Sequence, residues 1–138
     1  GKDGKGAYPA CLFFSRDLHS IGQFLQQGRQ IFYETMIRIE HPAEDMEIPW
    51  YAGYPYAGKT MEQINACAEN GVLRAHQKAG IPIHEIHIEE LNSFTMGQMI
   101  YFFEMSAALS AYAMGVNPFD QPGVEAYKKE MQALIAEL

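Results

Sequence analysis

The sequence predicts an α/β domain built in layers around a small parallel sheet. Three segments have the composition of strands, residues 10–15, 31–40 and 81–89, because they are short and rich in β-branched or aromatic side chains. Helical patterns follow each of them, and strands that alternate with helices favour parallel pairing, since a parallel connection needs a long crossover. The chain has 138 residues, 48% of them hydrophobic, which suits a single domain spanning residues 1–138.

The first predicted helix begins after Asp17 and ends before Gly28. Aspartate is a frequent N-cap and glycine a frequent helix stop. The apolar residues between them recur at helical spacing: Leu18, Ile21 and Leu25. The pattern therefore predicts a capped amphipathic helix.

The second predicted helix follows a long surface connection, residues 41–58, which contains three prolines. Thr60 with Gln63 matches the capping-box pattern that opens helices. We expect this helix to run to about Ala75, with Gly71 weakening or kinking it.

Residues 94–114 form an apolar stretch with Glu104 as its single charge. The stretch is long enough to cross a bilayer, but a charge at mid-depth is costly and no basic flank sets an orientation. We therefore predict a helix buried on nearly all sides, capped by Ser93 and ended by Asn117-Pro118. A last helix is predicted from Pro122 to the C-terminus.

The chain carries 10 Lys and Arg against 17 Asp and Glu, a net charge of −7. Nucleic acids and anionic membrane surfaces attract basic proteins, so this balance disfavours both as partners. Cys11 and Cys67 are too few for a disulfide scaffold and indicate small buried thiols in a reducing compartment. The N-terminus lacks the apolar core of a signal peptide, so we expect a cytoplasmic protein.

Residues 53–60, GYPYAGKT, match the phosphate-binding pattern GxxxxGK[ST]. That chemistry needs a glycine-rich loop fed by a buried strand, whereas the residues before this loop are acidic and broken by Pro49. The interior of the pattern is also bulky where the backbone must approach a ligand. We interpret the match as a loop that enters the second helix.

A possible metal ligand set lies on the third predicted strand. Glu85, His87 and Glu89 would share one face of that strand, and one histidine with two carboxylates is able to bind a metal. The solvated face of an edge strand explains the same pattern, and we favour it. His41 and His76 lack companion ligands at helical spacing, and we expect them to be solvated as well.

His19 stands out by its position in the first turn of a helix that directly follows a predicted strand. In a parallel sheet this would place it at the carboxyl end of the strands, where ligands bind. A helix N-terminus also favours the neutral imidazole, the form that accepts a proton. A solvated first-turn histidine explains the position equally well.

Lys128 is expected on the shoulder of the buried face of the last helix. The alternative is a lysine that extends from that shoulder into water. Its neighbour Lys129 would point outward and pair with Glu125. The apolar stripe that defines the buried face consists of Val124, Tyr127, Met131, Leu134, Ile135 and Leu138.

Four segments, in the same order, resemble one known family. The segment from Gly115 to Lys128, GVNPFDQPGVEAYK, resembles the C-terminal signature of the glucose-6-phosphate isomerases. Residues 17–24, 57–60 and 97–104 (DLHSIGQF, AGKT and GQMIYFFE) resemble the bacterial branch of that family. The resemblance covers nearly the whole chain.

The resemblance implies a fold, a reaction and roles for three residues. The fold is a sugar-isomerase (SIS) domain, a three-layer α/β/α sandwich with a small, mostly parallel sheet. The reaction is the reversible conversion of glucose 6-phosphate to fructose 6-phosphate in glycolysis and gluconeogenesis, without a metal or an organic cofactor. His19 matches a histidine that helps to open the sugar ring and reaches the site across a homodimer interface. Lys128 matches a lysine that serves ring opening and sugar contact, and Gln121 matches a glutamine that contacts substrate.

Members of the family are much longer, two-domain chains. By the resemblance, the glutamate that transfers the proton lies shortly before the segment GKDGKG, and a phosphate-binding loop lies further upstream. We therefore expect the C-terminal part of a larger enzyme, inactive in isolation because it lacks that base. The alternatives are a non-catalytic SIS module that binds a sugar phosphate or a partner chain, and a purely structural dimerisation domain.

Overall fold

The computed structural model describes all residues, 1–138, as α/β structure with a two-stranded parallel sheet. Two compact units divide the chain: one spans Pro9–Gly97, and the other combines Gly1–Tyr8 with Gln98–Leu138. The predicted α/β class and small parallel sheet are confirmed, whereas the single SIS-type domain over residues 1–138 stays a prediction. The elements in chain order are α1 (Leu18–Gln27), β1 (Glu34–His41), α2 (Met61–Lys78), β2 (Ile83–Glu90), α3 (Ser93–Ala113) and α4 (Pro122–Ala136).

The two strands are neighbours in the sheet, and α2 makes the crossover between them. Ile37 lies opposite Ile86 and Arg38 opposite His87. Because side chains alternate along a strand, the two isoleucines share one face and the two basic residues share the other. The sheet therefore has an apolar face and a charged face.

The first predicted strand, residues 10–15, is wrong, because the structure has no strand there. The amide of Phe13 donates to Asp17 Oδ2 at 2.7 Å, and its carbonyl accepts from the Asp17 amide at 2.9 Å. In a strand, the amide and the carbonyl of Phe13 would bond to a neighbouring strand. Here both bond to Asp17, in a turn just before α1. His19 consequently does not follow a strand, and its expected place at the carboxyl end of the sheet loses its basis.

The start of α2 is confirmed. Thr60 Oγ1 accepts from the Gln63 amide at 3.2 Å, and Gln63 Oε1 accepts from the Thr60 amide at 3.1 Å. The helix continues through Gly71 and ends at Lys78, three residues beyond the expected end. The capping box thus fixes the start, while packing extends the helix beyond what propensity predicts.

The cap of α3 is not Ser93 but the residue before it. Asn92 Oδ1 accepts hydrogen bonds from the amides of Phe94 and Thr95, both at 3.0 Å. Asn and Ser are both good capping residues, so the sequence pattern did not separate them. The last helix begins at Pro122 as predicted.

The buried side chains lie almost wholly in the Pro9–Gly97 unit: Leu25, Leu73, His76, Ile81 and Ile88. Neither α3 nor α4 has a buried residue, so the predicted burial of α3 and of the α4 stripe is wrong for this structure. In α3, Tyr101 is 63% exposed and Leu109 is 60% exposed. A helix that is apolar all round needs neighbours on most sides, and α3 has too few.

The surface also departs from two smaller expectations. Cys11 and Cys67 are exposed rather than buried, since one lies in the irregular segment before α1 and the other on the open side of α2. No helix combines the length and the apolar character that crossing a membrane would require.

Candidate functional site

His19 is the second residue of α1, and its side chain is exposed. The helix start is built on Asp17, whose carbonyl accepts from the amides of Ser20 at 3.2 Å and Ile21 at 3.0 Å. Asp17 occupies the N-cap position as predicted, but its carboxylate makes no capping bond. The imidazole of His19 therefore stands free at the positive end of the helix.

The carboxylate of Asp17 is held by groups that precede it. Arg16 donates through Nε to Oδ1 at 2.7 Å and through Nη2 to Oδ2 at 3.0 Å. These bonds, with the Phe13 amide, hold the pKa of Asp17 below its usual range. The turn before His19 thus contains an ionised carboxylate with a fixed orientation.

Lys128 and Gln121 lie near the start of α4. Lys128 Nζ donates to Glu125 Oε1 at 2.7 Å, and its side chain is half-exposed, so it does not lie beside a buried face as predicted. It also takes the partner that was expected for Lys129. Gln121 accepts through its carbonyl from the amides of Val124 and Glu125, while its exposed side chain makes no capping bond. The amide of Gln121 is thus available to a ligand.

Two N-terminal lysines hold the loop between α3 and α4. Lys5 Nζ donates to the carbonyl of Met114 at 2.9 Å, just beyond the end of α3. Lys2 Nζ donates to the carbonyl of Asn117 and to the carboxylate of Asp120. The sequence predicted no contact for these lysines. The missed signal is that lysines bind the free carbonyls at a helix C-terminus.

The three residues assigned by the resemblance are divided between the two units. Gln121, the N-cap of α4, and Lys128, in the second turn of α4, both lie in the unit Gly1–Tyr8 with Gln98–Leu138. His19 belongs to the unit Pro9–Gly97.

The loop that matches the phosphate-binding pattern uses its own amides. The amides of residues 57–60 all donate within the protein, at 3.0–3.2 Å, to Tyr54 O, Ile48 O, Tyr56 O and Gln63 Oε1. A phosphate-binding loop needs such amides free to point at the ligand. The geometry supports a structural loop that enters α2.

His87 lies between two carboxylates on the charged face of the sheet. Its Nδ1 contacts Glu40, and its Nε2 lies 3.8 Å from Glu85 Oε2. The neighbouring imidazole holds the pKa of Glu40 below its usual range. No group of three or more His, Cys, Asp or Glu side chains is arranged to hold a metal ion, and Glu89 takes no part in this cluster.

His76 is the site residue that the sequence analysis misjudged. It was expected to be solvated, yet only 3% of it is exposed. Its Nδ1 lies 2.9 Å from Glu34 Oε2. The available signal was its spacing of three residues from Leu73, which places both on one helix face.

Comparison with known proteins identifies relatives over nearly the whole chain. The chain is 51% identical to the glucose-6-phosphate isomerase of Streptococcus equi subsp. zooepidemicus and 47% identical to that of Latilactobacillus sakei, over 98% of its own length in both cases. It spans only 31% of each of these relatives. No protein-family model matches the chain.

A solved structure resembles the fold. A hypothetical protein of Thermus thermophilus superposes with a TM-score of 0.82 at 26% identity, over 89% of this chain and 31% of that one. Sequence and structure comparisons thus both match the chain to about a third of a longer protein.

Proposed function

We propose that this chain, a homologue of the C-terminal part of the glucose-6-phosphate isomerases, serves the interconversion of glucose 6-phosphate and fructose 6-phosphate as part of a complete isomerase. The observation that carries the proposal is 45–51% identity over 98% of the chain. Because the chain spans about a third of these relatives, the activity belongs to the longer protein. We place it in glycolysis and gluconeogenesis, in the cytoplasm, as an SIS-type domain of a homodimer.

His19 is proposed to open the sugar ring. Ring opening moves a proton between the ring oxygen and the anomeric hydroxyl, so it needs a group that accepts and donates near neutral pH. An exposed imidazole suits this step, because a bound sugar can reach it and an imidazole both accepts and donates a proton. In the proposed homodimer, His19 acts on the sugar bound by the partner subunit.

Lys128 and Gln121 are proposed to contact the sugar. The ammonium of Lys128 has Glu125 as its ion-pair partner and is half-exposed, so it is able to turn to a sugar oxygen at small cost. Gln121 offers both a donor and an acceptor from a side chain that no cap consumes. No metal or organic cofactor is required for these contacts.

Proton transfer between the two carbons of the enediol needs a carboxylate base. The family resemblance places that glutamate upstream of the matched segment. We therefore expect no isomerase turnover from the 138-residue chain alone. Turnover by the pure chain would favour a different base within it.

The test is a coupled isomerase assay on a chimera that joins this chain to the preceding part of the Streptococcus equi relative. We expect an active chimera in which His19→Ala lowers turnover of the cyclic sugar by about 10²–10⁴-fold and turnover of an open-chain substrate much less. His41→Ala, at another exposed histidine, is the control. Lys128→Ala is matched by Lys129→Ala.

Two results would contradict the proposal. One is a folded chimera with no activity, which would favour the non-catalytic SIS module. The other is a loss in His19→Ala no larger than in His41→Ala, which would make His19 an ordinary first-turn residue.

A further inference from the structure

One buried ionisable pair, His76 with Glu34, has no role in the proposed catalysis. His76, in the last turn of α2, has a side chain 4% exposed, and its Nδ1 lies 2.9 Å from Oε2 of Glu34, the first residue of β1. A carboxylate only accepts, so Nδ1 donates. The second oxygen, Glu34 Oε1, is buried without a partner. A buried carboxylate oxygen without a hydrogen-bond partner lowers stability, so stability alone does not explain the pair.

The last turn of α2 contacts the chain on both sides of the α1 start. The ring of Phe14 meets the ring of His76 edge to face, with centroids 6.0 Å apart and planes at 89°. One residue earlier in α2, the carbonyl of Ala75 accepts from Gln26 Nε2 at 3.1 Å. The His76 turn therefore touches the segment before α1 and the second half of α1.

Phe14 belongs to the turn from which α1 begins. The carbonyl of Phe13 accepts from the amide of Asp17 at 2.9 Å, and the carbonyl of Arg16 accepts from the amide of His19 at 3.4 Å. A shift of the Phe14 ring therefore moves the turn and the first residues of α1 together. Those residues carry the imidazole of His19.

We propose that His76 is a positioning residue for His19. Glu34 ties His76 to β1, and the ring of His76 supports Phe14 and the turn that orients the start of α1. The inference rests on the proposed role of His19 in ring opening. A second link joins β1 to α2: Arg38 donates through Nε to Glu69 Oε1 at 2.9 Å and through Nη2 to Asn70 Oδ1 at 3.1 Å. This link makes no contact with the turn before α1.

Two variants of the 138-residue chain test the positioning directly. His76→Asn keeps a donor near the position of Nδ1 but removes the ring that faces Phe14. Phe14→Leu keeps the buried pair and removes the aromatic contact. Arg38→Met is the control, because it breaks the other tie between β1 and α2. Amide hydrogen exchange at residues 18–21 is expected to rise about tenfold in both test variants and to stay unchanged in the control.

Steady-state kinetics of the chimera distinguish a positioning residue from a merely structural one, because only the former changes kcat without changing KM. In His76→Asn we expect kcat on the cyclic sugar to fall while KM stays constant, since His19 acts in the chemical step. The double variant His19→Ala with His76→Asn should be no slower than His19→Ala alone, because both changes remove one function.

The outcomes separate this inference from the proposed function. Unchanged exchange at residues 18–21, or an equal rise in Arg38→Met, would overturn the positioning role, and so would losses that multiply in the double variant. If His76→Asn fails to fold, Phe14→Leu decides the question. Full activity of His19→Ala would overturn the proposed function, and that result involves no change at His76.

Discussion

The two longest helices, α2 and α3, are held in the protein in different ways. α2, in the unit Pro9–Gly97, buries Leu73 and His76 and is tied to β1 by Arg38 and Glu34. α3 is longer and more apolar, yet it buries no residue. Its bonds to the rest of the protein are concentrated near its ends, at the Asn92 cap and beyond its last residue.

The difference teaches that apolar content alone does not place a helix in a core. α2 is amphipathic and packs on the sheet. Its bonds to β1, Arg38 with Glu69 and His76 with Glu34, stabilise the same contact as its buried side chains. α3 has apolar side chains all round, and its exposed aromatic residues include Phe94, Tyr101, Phe102 and Tyr112. Exposed patches of this kind typically mark a protein contact.

The largest expected effect compares one leucine from each helix. Leu73→Ala in α2 should lower the free energy of unfolding by about 2–5 kcal/mol, because it leaves a cavity. Leu109→Ala in α3, where the side chain is 60% exposed, should change it by less than about 0.5 kcal/mol. Urea unfolding of both variants measures this, and equal losses would show that α3 is packed after all.

Removing the N-cap of each helix tests the same difference between α2 and α3 with a smaller expected change in stability. Thr60→Ala and Asn92→Ala each remove a side-chain cap, at a cost of about 1 kcal/mol. We expect the first loss to appear in global urea unfolding, because α2 is part of the core. The second should appear only as faster amide exchange within α3. A global loss from Asn92→Ala would show that the start of α3 is part of the core.

The smallest expected effect concerns pH and the start of α1. The folded-state pKa of Asp17 is lowered, so its ionised form favours the folded turn. This contribution is present above the unfolded pKa of about 3.9 and is lost as pH falls through the lower folded value. Protection of the α1-start amides, measured as the ratio of the intrinsic to the observed exchange rate, should therefore fall in acid, while protection of the α4 amides stays unaffected. Asp17→Asn should show the reduced protection at every pH.

Local signals explain what the sequence predicted correctly about the fold. Thr60 and Gln63 lie three residues apart, so their capping box forms within one turn and needs nothing from the rest of the chain. Residues 10–15 needed a neighbouring strand, which is not a local property, and Phe13 bonded to Asp17 instead. The α4 stripe likewise predicted a buried face, but a face is buried only when another element covers it.

The candidate site was predictable to a different degree for each residue. Position in the sequence singled out His19 and Lys128, but it also fitted a solvated histidine and a surface lysine. Their roles, and the choice of Gln121, came only from the family resemblance. The burial of His76 could have been inferred from its spacing from Leu73, but its partner Glu34, 42 residues away, could not, because pairing between distant residues leaves no local sequence pattern. The pairing of Lys2 with Asp120 was missed for the same reason.

The bond between Lys2 and Asp120 has a consequence for the order in which the protein folds during synthesis. The two residues are 118 positions apart, so at about 5–20 residues per second the first waits roughly 6–24 s for the second. Within that interval the ribosome synthesises the whole of Pro9–Gly97, a unit that is compact in itself. The unit that combines Gly1–Tyr8 with Gln98–Leu138 therefore closes only after Pro9–Gly97 has been synthesised, and a nascent chain halted before residue 120 would leave Lys2 without that partner.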